Sequence, residues 1–359
     1  MAKKSMLLHT PANSDRVVRR VQRALAELRR GAAVRLTGLG ATLFVRAAET
    51  SGADFQDGAV LLLAASRAAL LSITPDPVDG PVVALNIPAR SDLRALADPS
   101  LVQRGIGELC PTTPPPLSAA ALRLAKHGRL LPALLVETVA DDDIVSVDVA
   151  EIDAYPAHLA ADLMEVASAT VPLATAADCR VVAFRPRDGG AEQVAVLIGQ
   201  PPLDRPDRPA PLVRLHSECF TGDVLGSLRC DCGPQLHGSI ARMEAEGGGV
   251  LLYLAQEGRG IGLASKLRAY ALQDRGLDTL DANLALGWGA DERDFSVAAA
   301  MLRALGITRA RLLTNNPLKV AALEAAGIVA ERVSHLFAAN GINDAYLATK
   351  HTRFGHRAD

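Results

Sequence analysis

Three of the five cysteines in the chain lie within fourteen residues, at Cys219, Cys230 and Cys232. This C-x10-C-x-C spacing is typical of a metal site in a chain that carries no secretion signal. Three thiolates rather than four indicate a zinc ion with an open position for water, which is the arrangement of a catalytic site. The alternative is that the thiols are buried without a ligand. Cys110 and Cys179 have no such neighbours, and we interpret them as inert small hydrophobic residues.

A second metal chemistry is suggested by the residues just before the cluster. His216-Ser-Glu218 matches the H-x-E half of the zinc deaminase signature, which also requires P-C-x-x-C. Here the cysteine pair is C-x-C, and Pro234 follows the pair instead of preceding it. A deaminase is therefore the weaker interpretation.

A glycine-rich segment, Gln-Glu-Gly-Arg-Gly-Ile-Gly, occupies residues 256–262 between an apolar strand and a helix. Glycines let the backbone approach a phosphate, and a helix N-terminus favours anions. The spacing matches neither common phosphate-loop pattern, so an ordinary strand-to-helix turn is an equal alternative. Arg259 could pair with phosphate, and Glu257 and Glu218 are candidate acceptors for guanine N–H groups or for a hydrated metal ion.

Two further segments combine charge with helix starts. Asp291-Glu-Arg-Asp294 is a dense charge run before a helix, and such runs are usually solvated and cap the helix. Thr314-Asn-Asn-Pro-Leu-Lys319 follows a short strand and is similar to a loop that binds phosphate or another polar ligand. Taken singly, both segments are best interpreted as helix caps.

The elements that must position these residues alternate between strands and helices, which predicts the α/β (α+β) class. The 359 residues are enough for two domains, and 49% hydrophobic and 22% charged residues are typical of a globular protein. We predict an N-terminal α/β domain over residues 1–150, a helical connector over 151–170, and a mixed-sheet C-terminal domain over 171–359.

Charge and hydropathy exclude several classes of partner. A net charge of −2 provides no basic surface for nucleic acid or for an anionic membrane. No run of 18 apolar residues is present, so we expect no transmembrane helix. The apolar run at the N-terminus is too short for a signal peptide, which predicts a cytoplasmic protein.

The order of the motifs is more informative than any single motif. The series RLHSEC, LRCDCG, QEGRGIGL, RAYALQD, ADERDF and LLTNNP closely resembles GTP cyclohydrolase II, the first committed enzyme of riboflavin biosynthesis. The resemblance covers about residues 172–359, and the tail from Asn343 to His356 is similar to that family's end. It implies hydrolysis of GTP to 2,5-diamino-6-ribosylamino-4(3H)-pyrimidinone 5′-phosphate, formate and pyrophosphate.

The resemblance also implies a role for each matching residue. Cys219, Cys230 and Cys232 would bind one zinc ion per subunit, and the zinc-bound water would attack C8 of the guanine ring. Arg293 matches the proposed nucleophile on the α-phosphorus, Asp291 matches its proton acceptor, and Tyr270 matches a tyrosine near the base. The matching GTP-binding positions are Arg214, Leu215, His216, Ser217, Glu218, Gln235, Glu257, Gly258, Arg259, Thr279, Thr314 and Lys319.

The chemistry of Arg293 itself favours a different role. A guanidinium has a pKa above about 12 and is a poor nucleophile, so the residue type predicts a clamp for transition-state charge. The resemblance further implies magnesium with the triphosphate and a homodimer. Two departures bear on GTP binding: Ala255 stands where a basic residue is common, and Lys319 is the second of two lysines that family members often carry after Thr314.

The N-terminal half carries a weaker resemblance. Residues 21–31 are faintly similar to the start of 3,4-dihydroxy-2-butanone 4-phosphate synthase, which many family members carry as a fused domain. That domain next requires an acidic magnesium loop, whereas residues 36–44 contain no carboxylate, and a Thr-Gly-His-type segment is missing. We expect a degenerate or unrelated domain without synthase activity.

Two alternatives stay open for the whole chain. One is a paralogue that yields a formamido product or uses another purine nucleotide. The other is a GTP-binding pseudoenzyme that acts as a sensor or scaffold.

Overall fold

The computed structural model describes residues 12–52, 55–73, 80–102, 108–138, 143–187, 190–203 and 207–356. The helices in these ranges are α1 (Ala12–Arg29), α2 (Ala65–Ala69), α3 (Leu93–Ala97), α4 (Ser118–His127), α5 (Val149–Ala161), α6 (Cys232–Ala245), α7 (Gly262–Gln273), α8 (Thr279–Ala285), α9 (Ser296–Ala304), α10 (Pro317–Ala325) and α11 (Asp344–Phe354). The strands are β1 (Val34–Gly38), β2 (Ala41–Ala47), β3 (Ala59–Ala64), β4 (Val82–Ile87), β5 (Cys110–Thr112), β6 (Ala133–Glu137), β7 (Ser146–Asp148), β8 (Leu163–Thr170), β9 (Cys179–Pro186), β10 (Gln193–Gly199), β11 (Leu212–Ser217), β12 (Gly248–Leu254), β13 (Arg309–Leu313) and β14 (Val329–Val333).

The first sheet has the strand order β5-β4-β3-β6-β2-β1-β7 and is antiparallel except for the β1–β7 pair. Successive side chains of a strand point to opposite faces, so both faces of β3 can be apolar. Leu62 joins the core that α1, α4 and α5 cover, whereas Leu61 and Leu63 join a second core on the other face. Helix α1 is therefore one wall of the first core.

The second core joins the two halves of the chain. It combines strands of the first sheet with α2 and α3, and also with Ile261, Leu272 and Trp288 from the C-terminal half. Trp288 is fully buried, with 1% of its surface exposed. Just before it, Gly287 has φ +81°, and a Cβ there would lie 2.7 Å from the Pro132 ring. The N-terminal half and the α7–α8 region consequently share one hydrophobic interior.

The second sheet has the order β14-β13-β11-β12-β10-β9-β8. Strands β14, β13, β11 and β12 are parallel, and β12, β10, β9 and β8 are antiparallel. Helices α9 and α10 cover one face, and α6 covers the other. Two mixed sheets with helices on both sides confirm the predicted α/β class.

The prediction of a helical connector over residues 151–170 is correct only for its first part. Helix α5 ends at Ala161, and Leu163–Thr170 forms the edge strand β8, which pairs with β9. The predicted domain boundaries at 150 and 171 stay predictions. The two halves of the chain share the second core. Cys179 is buried as expected for a small hydrophobic residue, but Cys110 is exposed. None of the helices in the described ranges is long and apolar enough to cross a membrane.

Replacing Trp288 by Ala tests the shared core. Removing this buried ring should lower the free energy of unfolding by roughly 3–5 kcal/mol, because a large cavity would open between the halves. Urea unfolding followed by circular dichroism should also show a single transition for the parent protein. Leu39→Ala, at a side chain that is 94% exposed, is the control and should change little. A loss below roughly 1 kcal/mol for Trp288→Ala would contradict a shared core.

Candidate active site

The candidate site lies at the carboxyl ends of three neighbouring parallel strands. Strand β11 ends at Ser217, β12 at Leu254 and β13 at Leu313, and β11 pairs with both of the others. Ligands of open α/β sheets bind at this edge, because the loops after parallel strands meet there. The cysteine segment follows β11, the glycine-rich segment follows β12, and Thr314–Lys319 follows β13. The topology therefore brings these three motifs into one cavity.

The three cysteines of the predicted metal site form a compact cluster. All three Sγ atoms lie within 4.8 Å of one another, and those of Cys219 and Cys230 are 3.7 Å apart. Tetrahedral Zn–S bonds of about 2.3 Å place sulfurs about 3.8 Å apart, so this donor set fits a zinc ion. Gly222 permits the approach, since a Cβ there would lie 2.8 Å from Cys230 Sγ. Cys232 is the first residue of α6, and Cys230 lies just before that helix.

A lysine that the sequence did not single out contacts this cluster. Lys266 Nζ, on α7, donates to Cys219 Sγ at 3.1 Å and pairs with Glu257 Oε1 at 2.9 Å. Hydrogen bonds from Cys230 and Cys232, together with the Lys266 charge, hold the pKa of the Cys219 thiol far below its ordinary value. These contacts favour the thiolate form of Cys219, which is the form that binds metal.

Asp223 connects the cysteine cluster to the end of β11. Its carboxylate accepts hydrogen bonds from the Cys219 backbone N–H and from the Tyr253 hydroxyl, both at 3.0 Å. It also contacts His216 Nε2 at 3.0 Å. Burial lowers the pKa of His216 in spite of this carboxylate. The contacts fix the orientation of the His216 ring, which lines the cavity beside Glu218.

Positive side chains line the same cavity as the cysteines. Lys319 and Arg214 are each 5% exposed. Lys319 Nζ donates to the carbonyl of Leu215 at 2.7 Å, and Arg214 donates to Leu313 O at 2.9 Å and to Gln235. Burial, and then the charges of Arg214 and Arg293, lower the pKa of Lys319 well below its ordinary value. This surplus of buried positive charge is suited to a polyanionic ligand.

Arg293 and Asp291 form one rigid pair. The guanidinium donates through Nε at 2.8 Å and through a terminal nitrogen to the two oxygens of Asp291. Burial alone would raise the pKa of Asp291, but the hydrogen bonds and charge of Arg293 outweigh it and lower that pKa. Arg293 lines the cavity, and Asp291 lies behind it. The bidentate geometry fixes the orientation of the Arg293 guanidinium.

The glycine-rich loop adopts left-handed backbone conformations. Gly258 and Arg259 have φ of 62°, which is unusual for a residue with a side chain. The Arg259 guanidinium lies 3.8 Å from the centre of the Phe354 ring, on α11. Among the described residues, Arg259 Nη1 and Arg214 Nε are buried donors without a hydrogen-bond partner. Such donors are expected where a ligand binds.

The cavity gathers nearly all of the predicted site residues. Leu215 and Asp291 do not line it; they act through Lys319 and Arg293 respectively. Thr279, at the start of α8, and Tyr270, on α7, also line it. The residues that line it without a role predicted from the sequence include Arg229, Lys266, Asn283, Asn315, Asn316, His335, Tyr346, Lys350 and His356.

Lys350 illustrates why these cavity residues are hard to identify from the sequence. It forms a buried ion pair with Asp231, between the two cysteines of the C-x-C motif. Burial opposes the charged form, but Tyr346 and Asp231 raise the pKa of Lys350. The only sequence signal was the similarity of the tail from Asn343 to His356 to the family's end, which carried no role for individual residues.

Fold and site together are those of an α/β enzyme, with the candidate active site at the carboxyl ends of parallel strands. A sequence model of GTP cyclohydrolase II matches residues 164–334. A GTP cyclohydrolase-2 of Azospirillum brasilense is 45% identical over 376 aligned residues, which cover 95% of this chain and 94% of that protein. A GTP cyclohydrolase-2 of Xylella fastidiosa is 41% identical, with 95% of this chain and 87% of that protein covered.

The chain belongs to the GTP cyclohydrolase II family. The riboflavin biosynthesis protein RibBA of Parabacteroides distasonis is 50% identical over 178 residues, but this match covers only 49% of the present chain and 43% of that protein. The match to the Azospirillum protein, in contrast, includes the N-terminal half.

Replacing Lys319 by Met tests the surplus of positive charge. The lowered pKa of Lys319 means that the unfolded chain holds this proton more tightly, so Lys319 destabilises the fold below its folded pKa. This penalty disappears as pH rises through the folded pKa toward about 10.5, the unfolded value. We expect Lys319→Met to be as stable as the parent or more stable at about pH 7 in urea, with the difference shrinking at about pH 10.

Lys350→Met is the matched control for this experiment. It removes a second buried lysine, but one whose pKa is raised and which pairs with Asp231. Leaving Asp231 unpaired should cost roughly 3–5 kcal/mol. Equal destabilisation by the two variants at neutral pH would contradict the interpretation of Lys319.

Proposed function

We propose that this protein hydrolyses GTP in a zinc-dependent reaction to 2,5-diamino-6-ribosylamino-4(3H)-pyrimidinone 5′-phosphate, formate and pyrophosphate, as the first step of riboflavin biosynthesis. The observation that carries the proposal is that a cluster of three cysteines and a cluster of buried cations line one cavity. Two chemistries, hydrolysis at a carbon and cleavage at a phosphate, need these two kinds of group. Membership of the GTP cyclohydrolase II family supports GTP as the substrate.

Cys219, Cys230 and Cys232 would hold the zinc ion. A zinc ion with three protein ligands supplies a Lewis acid that lowers the pKa of a bound water molecule toward about 7. Lys266 stabilises the Cys219 thiolate, and Asp223 holds the backbone N–H of the same residue. These contacts orient the donor set before a metal binds.

Glu218 is the better candidate of the two carboxylates for contacting the guanine base. Both oxygens of Glu257 already accept hydrogen bonds, from Gly258 N at 2.8 Å, Lys266 Nζ at 2.9 Å and Phe220 N at 2.6 Å. Glu257 therefore orders the wall of the site. Glu218 lines the same cavity next to Cys219 and would accept guanine N–H groups. Tyr270, on α7, lines the same cavity and would lie near the base.

The triphosphate would bind to the buried cations of the cavity, with magnesium as its counter-ion. Arg214, Lys319 and Arg259 would contact phosphate oxygens, and Gln235, Thr279 and Thr314 would supply neutral donors beside them. Arg293, held by Asp291, would stabilise negative charge that develops on the α-phosphate. We prefer this role to attack by Arg293 on phosphorus, because a guanidinium bonded twice to a carboxylate is a cation and not a nucleophile.

The remaining proposals concern the whole molecule. We propose that the protein is cytoplasmic and that it forms a homodimer. Exposed apolar side chains on residues 220–228 and α7, among them Val224, Leu225 and Leu267, offer a surface for the second copy. We also propose that the N-terminal half has no butanone phosphate synthase activity. The turn between β1 and β2 is Leu39-Gly40, which offers no magnesium ligand of the carboxylate type.

Mass spectrometry of the products tests the proposed reaction. Purified protein loaded with zinc and incubated with GTP and magnesium should release formate and pyrophosphate, with the formyl carbon absent from the pyrimidine product. A chelator should stop formate release, because the cysteine cluster would lose its ion. Retention of the formyl carbon would instead indicate the paralogue that stops at a formamido product.

Two substitutions make this experiment specific to the cluster. Cys219→Ser should lower zinc content from about one ion per chain and abolish formate release, since a zinc site needs its thiolates. Cys179→Ser is the matched control, because Cys179 is buried away from the cluster and should keep both zinc and activity. Bound GTP without zinc and without products would support the pseudoenzyme and sink the proposal.

A further inference from the structure

Two basic side chains from the N-terminal half contact the two loops that carry the candidate catalytic residues. They are Lys126, in the last turn of α4, and Arg129, just beyond that helix. The loops are the glycine-rich segment Ala255–Gly262 and the segment Gly289–Arg293. We propose that Lys126 and Arg129 are positioning residues for the reaction, so that the N-terminal half is part of the working active site. This inference rests on the proposed function.

Arg129 occupies a backbone conformation that favours glycine. Its φ is +56°, and it follows α4 at the point where helices commonly end on a left-handed glycine. The backbone N–H of Arg129 and that of Leu130 close the end of the helix on Lys126 O at 2.9 Å and Ala125 O at 3.1 Å. A residue with a side chain is strained there by roughly 1 kcal/mol. The strained residue is thus the one whose side chain contacts the glycine-rich segment.

The Arg129 side chain covers the glycine-rich loop. Its guanidinium donates to the carbonyl of Ala255, directly before Gln256. Its aliphatic carbons lie so close to Gly262 that a Cβ on Gly262 would sit 3.3 Å from Arg129 Cδ. Arg129 thus contacts both ends of the segment that presents Glu257 and Arg259 to the cavity.

Lys126 holds the second loop through Glu292. Lys126 Nζ pairs with Glu292 Oε1 at 2.6 Å, and the same oxygen accepts the Gly289 backbone N–H at 2.6 Å. Glu292 stands between Asp291 and Arg293 in the chain, and it faces the N-terminal half while Arg293 faces the cavity. Fixing Glu292 therefore sets where the Arg293–Asp291 pair can lie.

The two loops are also joined to each other. The Glu292 backbone N–H donates to Arg259 O at 3.1 Å, and a Cβ on Gly260 would lie 2.6 Å from Glu292 O. Because the loops are in direct contact, displacing either one moves both Arg259 and Arg293. A displacement of about 1 Å at a catalytic group can lower a rate by about a hundredfold. Lys126 and Arg129 thus act on turnover without touching the substrate.

Steady-state kinetics of Arg129→Gly and Lys126→Met test this inference. Arg129→Gly removes the side chain and relieves the left-handed backbone, so the melting temperature should stay equal or rise while kcat falls about tenfold or more. Lys126→Met should lower kcat similarly with the KM for GTP nearly unchanged, and Lys126→Arg should restore most of the activity. A merely structural role would predict lower stability and lower activity together.

Arg123→Met is the matched control. Arg123 lies on α4, one turn before Lys126, and lines the same cavity as Lys126 and Glu292. Its charge partner, however, is Asp153, which belongs to the N-terminal half. It should keep the parent kcat. Equal loss of activity in Arg123→Met would show that the charge of this region matters and not the contacts with the loops, and would overturn the inference.

Hydrogen–deuterium exchange provides a readout that is independent of turnover. Peptides that cover residues 255–262 and 289–294 should exchange faster in Arg129→Gly and Lys126→Met than in the parent or in Arg123→Met. Unchanged exchange together with unchanged kcat would overturn the inference while leaving the proposed function intact. Absence of GTP turnover in the parent protein would instead overturn the proposed function, and the exchange result would still decide the positioning role.

Discussion

The buried positive charges of the candidate site are the constraint to which the rest of the structure responds. Arg214, Lys319 and Arg293 lie in one poorly solvated cavity, where like charges repel far more strongly than in water. Of these three, Arg293 alone forms an ion pair with a carboxylate of the described residues, Asp291. Arg214 and Lys319 are instead held by carbonyl oxygens at the ends of β13 and β11. Repulsion between these buried charges lowers the stability of the fold, and a polyanion bound in the cavity would offset that loss.

The same edge of the sheet explains why the thiolate cluster and the cations meet. Strand β11 delivers Arg214 near its middle and the loop to Cys219 at its end, so one strand contributes to both clusters. Helix α7 has a comparable double role. Lys266 and Tyr270 face the cavity, whereas Arg268 pairs with Glu49 at 2.8 Å and with Asp98 at 2.7 Å in the N-terminal half. The N-terminal half therefore contacts the elements that carry the candidate active site, through the core around Trp288 and through Lys126 and Arg129.

Much of the site was accessible from the sequence because its motifs follow strands directly. The spacing of the three cysteines predicted the cluster, and the order of the motifs carried the family resemblance that implied the other site residues. The helix-cap interpretation of residues 291–294 was correct only at its end: Asp294 accepts the Ser296 N–H at 2.8 Å before α9, whereas Asp291 binds Arg293. Thr314–Lys319 combines both roles, since Asn316 caps α10 and Lys319 lines the cavity.

The contacts between distant parts of the chain could not be predicted in this way. Arg129 and Ala255 are 126 positions apart, and no local pattern connects them. Strand β8 was missed because it is an exposed edge strand, so its side chains lack the apolar alternation of a half-buried strand. Lys266 was missed because an isolated lysine on a helix is ordinarily solvated, and only the folded chain places it on Cys219.

Anomalous diffraction at the zinc edge, from crystals grown with a GTP analogue that resists hydrolysis, tests the central claim most directly. The account predicts one anomalous peak about 2.3 Å from the Sγ atoms of Cys219, Cys230 and Cys232. It predicts the triphosphate of the same analogue on Arg214, Arg293 and Lys319. A peak elsewhere in the chain, or a nucleotide bound in a different cavity, would contradict it.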